Sequence, residues 1–173
     1  MHERSGPKFT RAMMVLFPLA KAFTLRGGDI EAVLARNRIP LGALTDPAML
    51  VEASTCYSAM EDMAETLGDP YFGASVAIET AMKGTPGLRE AASDAVNLGD
   101  FLSRLVVEIS KQVDNVRYSV SISPDVASLE LQRTISMSNR STQLDAVGVA
   151  FYVTVIKQGI GGIFEPNDIL VTV

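Results

Sequence analysis

The chain has 173 residues, with 15 Lys and Arg against 20 Asp and Glu, and its formal net charge is −5. This length suggests one domain that buries about 70 % of the surface of the unfolded chain. The single histidine, His2, follows the initiator methionine, and the single cysteine is Cys56. A Ser-His-Asp triad, a Cys-His dyad and most zinc sites need a fixed imidazole, so these sites are excluded. We expect no catalytic residues, no metal and no cofactor, and therefore a protein that is not an enzyme.

The charge is unevenly distributed along the chain. Residues 1–28 carry a net charge of +4, and the remainder of the chain carries −9. An acidic body binds nucleic acid poorly, because binding requires clustered Lys and Arg to displace counterions. We predict a flexible basic tail at residues 1–12 and a folded domain at residues 13–173 that does not itself contact DNA.

An apolar run at residues 12–20 contains Pro18. The run is too short to span a bilayer, which takes about 20 residues, so we expect no membrane association. Ala20-Lys21-Ala22 resembles a signal-peptidase site, and a secreted module cleaved near Ala22 is one alternative. The favoured interpretation is a structural helix, bent or interrupted near Pro18, in a cytoplasmic protein.

Helix signals dominate the first two thirds of the chain. Asp29 is placed to cap one helix, and Ser54 opens a stronger one that ends at Gly68. Pro70 is placed at the first position of the next helix, and Thr85-Pro86 repeats this start signal. Asn97 with Asp100 resembles a capping box before the clearest amphipathic segment, residues 98–109. The acids of the second helix are expected to form a solvated face without a bound cation: Glu61, Asp62 and Glu65.

The apolar period changes to two after residue 115. Residues 116–122 and 127–135 alternate between apolar and polar side chains around Pro124-Asp125, which predicts a β-hairpin. If residue 124 faces residue 127, Tyr118 lies opposite Arg133. Arg133 occupies an apolar face, so its guanidinium must be paired. The favoured partner is an acidic side chain or solvent, and the alternative is the polar end of a pocket for an anionic or hydroxylated ligand.

A nearly continuous apolar run follows Thr142. Its length, and Thr142 with Asp145 as a cap, favour a helix over a strand. We predict that the outer surface of this helix is a dimer seam. The residues at 169–173 have the composition of a strand. The whole pattern predicts an α+β fold with helices packed around a small, mainly antiparallel β-sheet.

Four segments taken in order resemble the amino-terminal sensor domain, often called the arabinose-binding type, of AraC-type transcription regulators. The most specific is Leu-Gly-Asp-Pro-Tyr-Phe-Gly at residues 67–73. The others are residues 29–35, 39–47 and 97–102, and the resemblance extends over about residues 13–173.

The resemblance implies a module that binds a small-molecule effector, forms a homodimer and controls a separate helix-turn-helix DNA-binding domain. No helix-turn-helix signature follows residue 173, so we expect a truncated chain that meets DNA only through an absent carboxy-terminal domain. The family name does not establish arabinose as the effector.

Six residues are the candidates for ligand binding, because they combine apolar bodies with polar tips: Tyr57, Phe101, Arg104, Tyr118, Arg133 and Tyr152. Two other classes of function remain as alternatives. One is a small histidine-free enzyme that uses Glu108 or Asp114 with Arg133, and the other is a secreted small-molecule-binding module.

Overall fold

The structure, a computed structural model, describes residues 9–84, 91, 95–111, 116–134 and 141–159. The predicted helix start at Thr85-Pro86, Asp114 and the predicted strand at residues 169–173 lie outside the described residues.

The described chain consists mainly of helices, with four short strands among them. The two sheets are antiparallel pairs, β1 with β2 and β3 with β4. The α+β prediction is confirmed, and the strands form two separate pairs instead of one small sheet. In chain order the elements are β1 Phe9–Arg11, α1 Ala12–Leu25, α2 Ile30–Arg36, a 3-10 helix Leu41–Leu44, β2 Leu50–Glu52, α3 Ala53–Leu67, α4 Phe72–Lys83, α5 Leu98–Ser110, β3 Val116–Ile122, β4 Ala127–Arg133 and α6 Thr142–Gly159.

Several predicted helix ends are confirmed. The Asp29 carboxylate accepts a hydrogen bond from the Ala32 N–H at 3.1 Å, and Asn97 Oδ1 accepts one from the Asp100 N–H at 2.9 Å. Gly68 ends α3 in the left-handed conformation, with φ of 61°.

Three helix starts differ from the prediction. Helix α3 begins one residue before Ser54, and α4 begins two residues after Pro70. Helix α6 is capped by Ser141 and not by the predicted Thr142. The Ser141 hydroxyl accepts a hydrogen bond from the Leu144 N–H at 3.3 Å.

The amino-terminal apolar run is a continuous helix despite Pro18, so the expected interruption is absent. The helix buries Leu16, Leu19 and Phe23 completely or almost completely. Strand β1 precedes it directly and pairs with β2. Residues 9–11 therefore belong to the folded domain, whose start the sequence analysis placed at residue 13.

The apolar interior forms two clusters that share two helices. The first is built from α1, α2, the 3-10 helix, α3 and the first half of α4, and the second from α5, the hairpin β3–β4 and the carboxy-terminal half of α6. Helix α4 contributes Phe72 to the first and Ala81 to the second, and α6 contributes Val147 and Val155 in the same way. These two helices make the most extensive contact among the described elements, so their pairing joins the two clusters.

The start of α6 is fixed on α4 by the side chain of Gln143, which is 3 % exposed. Its Nε2 donates to the Pro70 carbonyl at 3.0 Å, and its Oε1 accepts from the Gly73 N–H at 2.8 Å. A Cβ on Gly73 would lie 2.7 Å from that Oε1 atom. Only glycine allows this approach without displacement of α6.

Glu61 of α3 provides a second attachment for α6. One carboxylate oxygen accepts from the Ser141 hydroxyl at 2.9 Å and from the Gln143 N–H at 2.7 Å. A carboxylate at a helix amino terminus is favourable because the helix dipole is positive there. Asp62 binds Arg36 at 2.8 Å. The predicted solvated face is therefore wrong for Glu61 and Asp62, which both hold neighbouring elements in place.

Candidate functional site

Four elements bring four of the six predicted site residues to one region. Phe101 of α5 is buried in the second cluster, and Tyr152 of α6 packs against that cluster. Tyr118 of β3 contacts Tyr152, and Arg133 of β4 is paired with Asp145 in the first turn of α6. We call Phe101, Tyr118, Arg133 and Tyr152 the hairpin–helix cluster.

The other two predicted residues lie elsewhere. Tyr57 is buried on α3 within the first cluster. Arg104 is exposed on α5, where its Nε donates to the Asp100 carboxylate at 3.0 Å.

The hairpin register differs by two residues from the predicted one. Tyr118 lies opposite Leu131, and Arg133 lies opposite Val116. The cause is the turn, because the Ser123 N–H donates to the Val126 carbonyl at 2.8 Å and leaves Pro124-Asp125 as a two-residue loop. A shift of two residues preserves the strand face, so Tyr118 and Arg133 still share one face of the hairpin, from which both side chains contact α6.

A pair of phenols joins the hairpin to α6. The hydroxyl oxygens of Tyr118 and Tyr152 are 3.0 Å apart, and their rings meet edge to face at 6.2 Å. Burial raises the pKa of Tyr118, and burial together with the neighbouring Tyr118 raises the pKa of Tyr152 well above its usual value. The Tyr152 hydroxyl donates to the Tyr118 oxygen, so the proton of the Tyr118 hydroxyl remains able to donate to a ligand.

Arg133 forms an ion pair with Asp145, and each side chain is about one third exposed. The favoured expectation of an acidic partner for this arginine is confirmed. Asp145 and Tyr152 are seven residues apart, about 10 Å along one face of α6. The ion pair and the phenol pair therefore attach the hairpin to α6 at two points, and the exposed part of the guanidinium can still accept an anion.

A groove of about 620 Å³ opens between α1, the start of α2 and the 3-10 helix. Its size lies within the range of small-molecule pockets, about 300–1,000 Å³. Its walls are mostly apolar. It could not be predicted from the sequence, because Phe17 belongs to an apolar run that indicates only a structural helix. The residues that line it are Phe17, Ala20, Lys21, Thr24, Leu25, Ile30, Leu41, Gly42, Leu44 and Thr45.

The described residues contain no group of three or more His, Cys, Asp or Glu suited to a metal ion. Hydrogen bonds from Arg36 and Arg104 lower the pKa of Asp62 and Asp100 respectively, whereas a general acid requires a raised pKa. Burial raises the pKa of the Cys56 thiol to about 12, which makes it a poor nucleophile.

Among the helices with described residues, none combines the length and apolarity needed to cross a bilayer.

An α+β fold with an apolar groove and a cluster of polar-tipped side chains is typical of a small-molecule-binding module. The family described as the arabinose-binding domain of AraC transcription regulators, N-terminal, matches residues 27–169. The chain belongs to this family, as the resemblance of residues 67–73 indicates. A comparison with curated proteins gives no match. The family is one of regulator domains and not of enzymes, and it makes the chain the sensor domain of a transcription regulator.

A Tyr118→Phe/Tyr152→Phe variant lacks both phenolic hydroxyls. We expect its free energy of unfolding to fall less steeply at alkaline pH than that of the unmodified chain. An unfolded tyrosine titrates near 10, and burial raises the pKa of both residues in the folded state. Above about pH 10 the folded chain therefore keeps protons that the unfolded chain loses, and the free energy of unfolding falls as pH rises, by at most about 1.4 kcal/mol per pH unit for each phenol. Urea unfolding between about pH 8 and pH 11 measures this slope.

The control is Tyr71→Phe, because Tyr71 is 75 % exposed. It should retain the slope of the unmodified chain. Equal slopes for the double variant and the unmodified chain would contradict the assignment.

Proposed function

We propose that this chain is the cytoplasmic effector-sensing domain of an AraC-type regulator and that its effector contacts the hairpin–helix cluster. DNA is contacted by a separate carboxy-terminal domain. Membership of the family supports the sensing role. The observation that carries the site is the 3.0 Å contact between Tyr118 and Tyr152, because it places two phenols from different elements beside an apolar cluster.

The chemistry of the cluster selects the effector. Arg133 offers a cationic donor fork, which suits a carboxylate or phosphate. The tyrosine pair offers a hydroxyl donor and acceptor, and Phe101 belongs to the buried apolar cluster beside them. An effector with an anionic group and a hydroxyl or carbonyl group on a short apolar body satisfies all three.

The position of the cluster provides a route for the signal. An effector bound there would change how the hairpin is held on α6, and α6 also packs against the first cluster through Val147. Binding shifts the domain between two arrangements only to the extent that its affinity for them differs.

We also propose that the domain pairs with a second copy through the outer face of α6. Ala146, Val149 and Val153 are apolar and partly exposed, and they are not among the residues packed into either cluster. Such a face loses contact with water when a twin helix covers it.

Arg133→Ala is expected to weaken effector binding ten- to a hundredfold, because a hydrogen bond to a charged group contributes about 1.5–3 kcal/mol. A thermal-shift screen of small carboxylated and phosphorylated metabolites first identifies a ligand of the unmodified chain, and isothermal calorimetry then compares the variants.

Arg117→Ala is the matched control, because Arg117 is exposed on the opposite face of the same hairpin. Equal affinities for the Arg133 and Arg117 variants would place the effector outside the cluster.

Val149→Glu is expected to convert the dimer to a monomer, since it buries two carboxylates in an apolar seam. Light scattering coupled to size-exclusion chromatography measures the mass. Gln158→Glu adds the same charge at an exposed position near the end of α6 and should leave the dimer intact. A strictly monomeric unmodified chain at high concentration would overturn the proposed seam.

A further inference from the structure

The groove beside α1 exposes large apolar side chains to water. Phe17, Leu25 and Leu41 are 44 %, 78 % and 51 % exposed, and they come from both walls of the groove. Exposed apolar side chains that converge on one concave surface mark a binding site more often than isolated ones do. An occupant with an apolar body would remove this surface from water.

The groove has one charged lining residue, Lys21 of α1. Lys21 is exposed and lies between Phe17 and Leu25 at helical spacing of four residues in each direction. It has no hydrogen bond or ion pair with the residues that the structure describes. No carboxylate lines the groove, so its electrostatics favour an anion and disfavour a cation.

The two threonines that line the groove offer little further polar recognition. The Thr24 hydroxyl donates to the Ala20 carbonyl at 2.9 Å, and the Thr45 hydroxyl donates to the Gly42 carbonyl at 3.2 Å. Both hydroxyls therefore donate to carbonyls three or four residues earlier in the chain. A ligand that fits must therefore be apolar along its length and must carry one negative group.

We propose that this groove binds a free amphipathic monocarboxylate, with its apolar chain between α1 and the 3-10 helix and its carboxylate at the Lys21 ammonium. The groove shares no residue with the hairpin–helix cluster, so it is a second ligand site that stands independently of the proposed effector site.

Decanoate is the probe, added to the whole isotope-labelled chain while amide resonances are followed by NMR. The expected shifts concentrate on α1 and the 3-10 helix. Binding is expected to tighten by about fifteenfold per step in the series octanoate, decanoate and dodecanoate, because each step adds two methylenes and each buried methylene contributes about 0.8 kcal/mol. Decanol, which lacks the charge, should bind about fivefold more weakly than decanoate.

Lys21→Ala is expected to weaken decanoate binding about fivefold and to leave decanol binding unchanged. Lys157→Ala is the matched control, because Lys157 is also helical, exposed and without a partner among the described residues. Leu41→Asp should abolish binding of both probes, and Ile78→Asp, at a 41 % exposed site on α4, should not. Thermal unfolding of each variant checks that it is folded.

Three results would overturn the proposal. They are equal decanoate affinities for the Lys21 and Lys157 variants, shifts confined to the hairpin and α6, and binding to anionic phospholipid vesicles without binding to free decanoate. The second result would assign the carboxylate to the hairpin–helix cluster, so failure of this site and failure of the proposed effector site are distinguishable.

Discussion

The buried side-chain amide of Gln143 is the contact on which the arrangement of the domain depends. It pairs with the Pro70 carbonyl and with the Gly73 N–H at the start of α4, and the buried Gly73 N–H would otherwise be left unpaired at a cost of about 1–3 kcal/mol. The Glu61 carboxylate, on α3, accepts a hydrogen bond from the backbone N–H of Gln143. Because α4 and α6 each enter both apolar clusters, fixing their relative position also fixes the hairpin that Asp145 and Tyr152 attach to α6.

The same junction places separate structural requirements on residues 67–73, the segment that carries the resemblance to the family. Gly68 ends α3 in a left-handed conformation, and Asp69 binds Arg26 at 2.8 Å. Pro70 and Gly73 receive Gln143, and Phe72 fills the first cluster beneath the Arg26 guanidinium. Consecutive positions with separate structural requirements leave a sequence signal that helix periodicity alone does not provide.

Local features could be predicted from the sequence, and contacts between distant elements could not. Asp29, Asn97 and the alternation of β3 and β4 act within a few residues, so their patterns predict the structure directly. Glu61 contacts residues about 80 positions away, and nothing near it in the chain distinguishes it from Asp62 or Glu65. Tyr118 and Tyr152 could be predicted as two separate candidates, but their contact could not, because it depends on the position of α6 relative to the hairpin. The groove was missed because its walls come from three separate segments.

The free energy of unfolding of Gly73→Ala, compared with that of Gly148→Ala in urea, tests most directly whether the α4–α6 junction holds the domain together. A Cβ at position 73 meets Gln143 and Val147, whereas a Cβ at position 148 meets nothing within 4 Å. The account predicts that Gly73→Ala destabilises the domain by about 1–3 kcal/mol. Gly148→Ala, in the interior of α6, should be neutral or stabilising by up to about 1 kcal/mol. Equal unfolding free energies for the two variants would contradict the account.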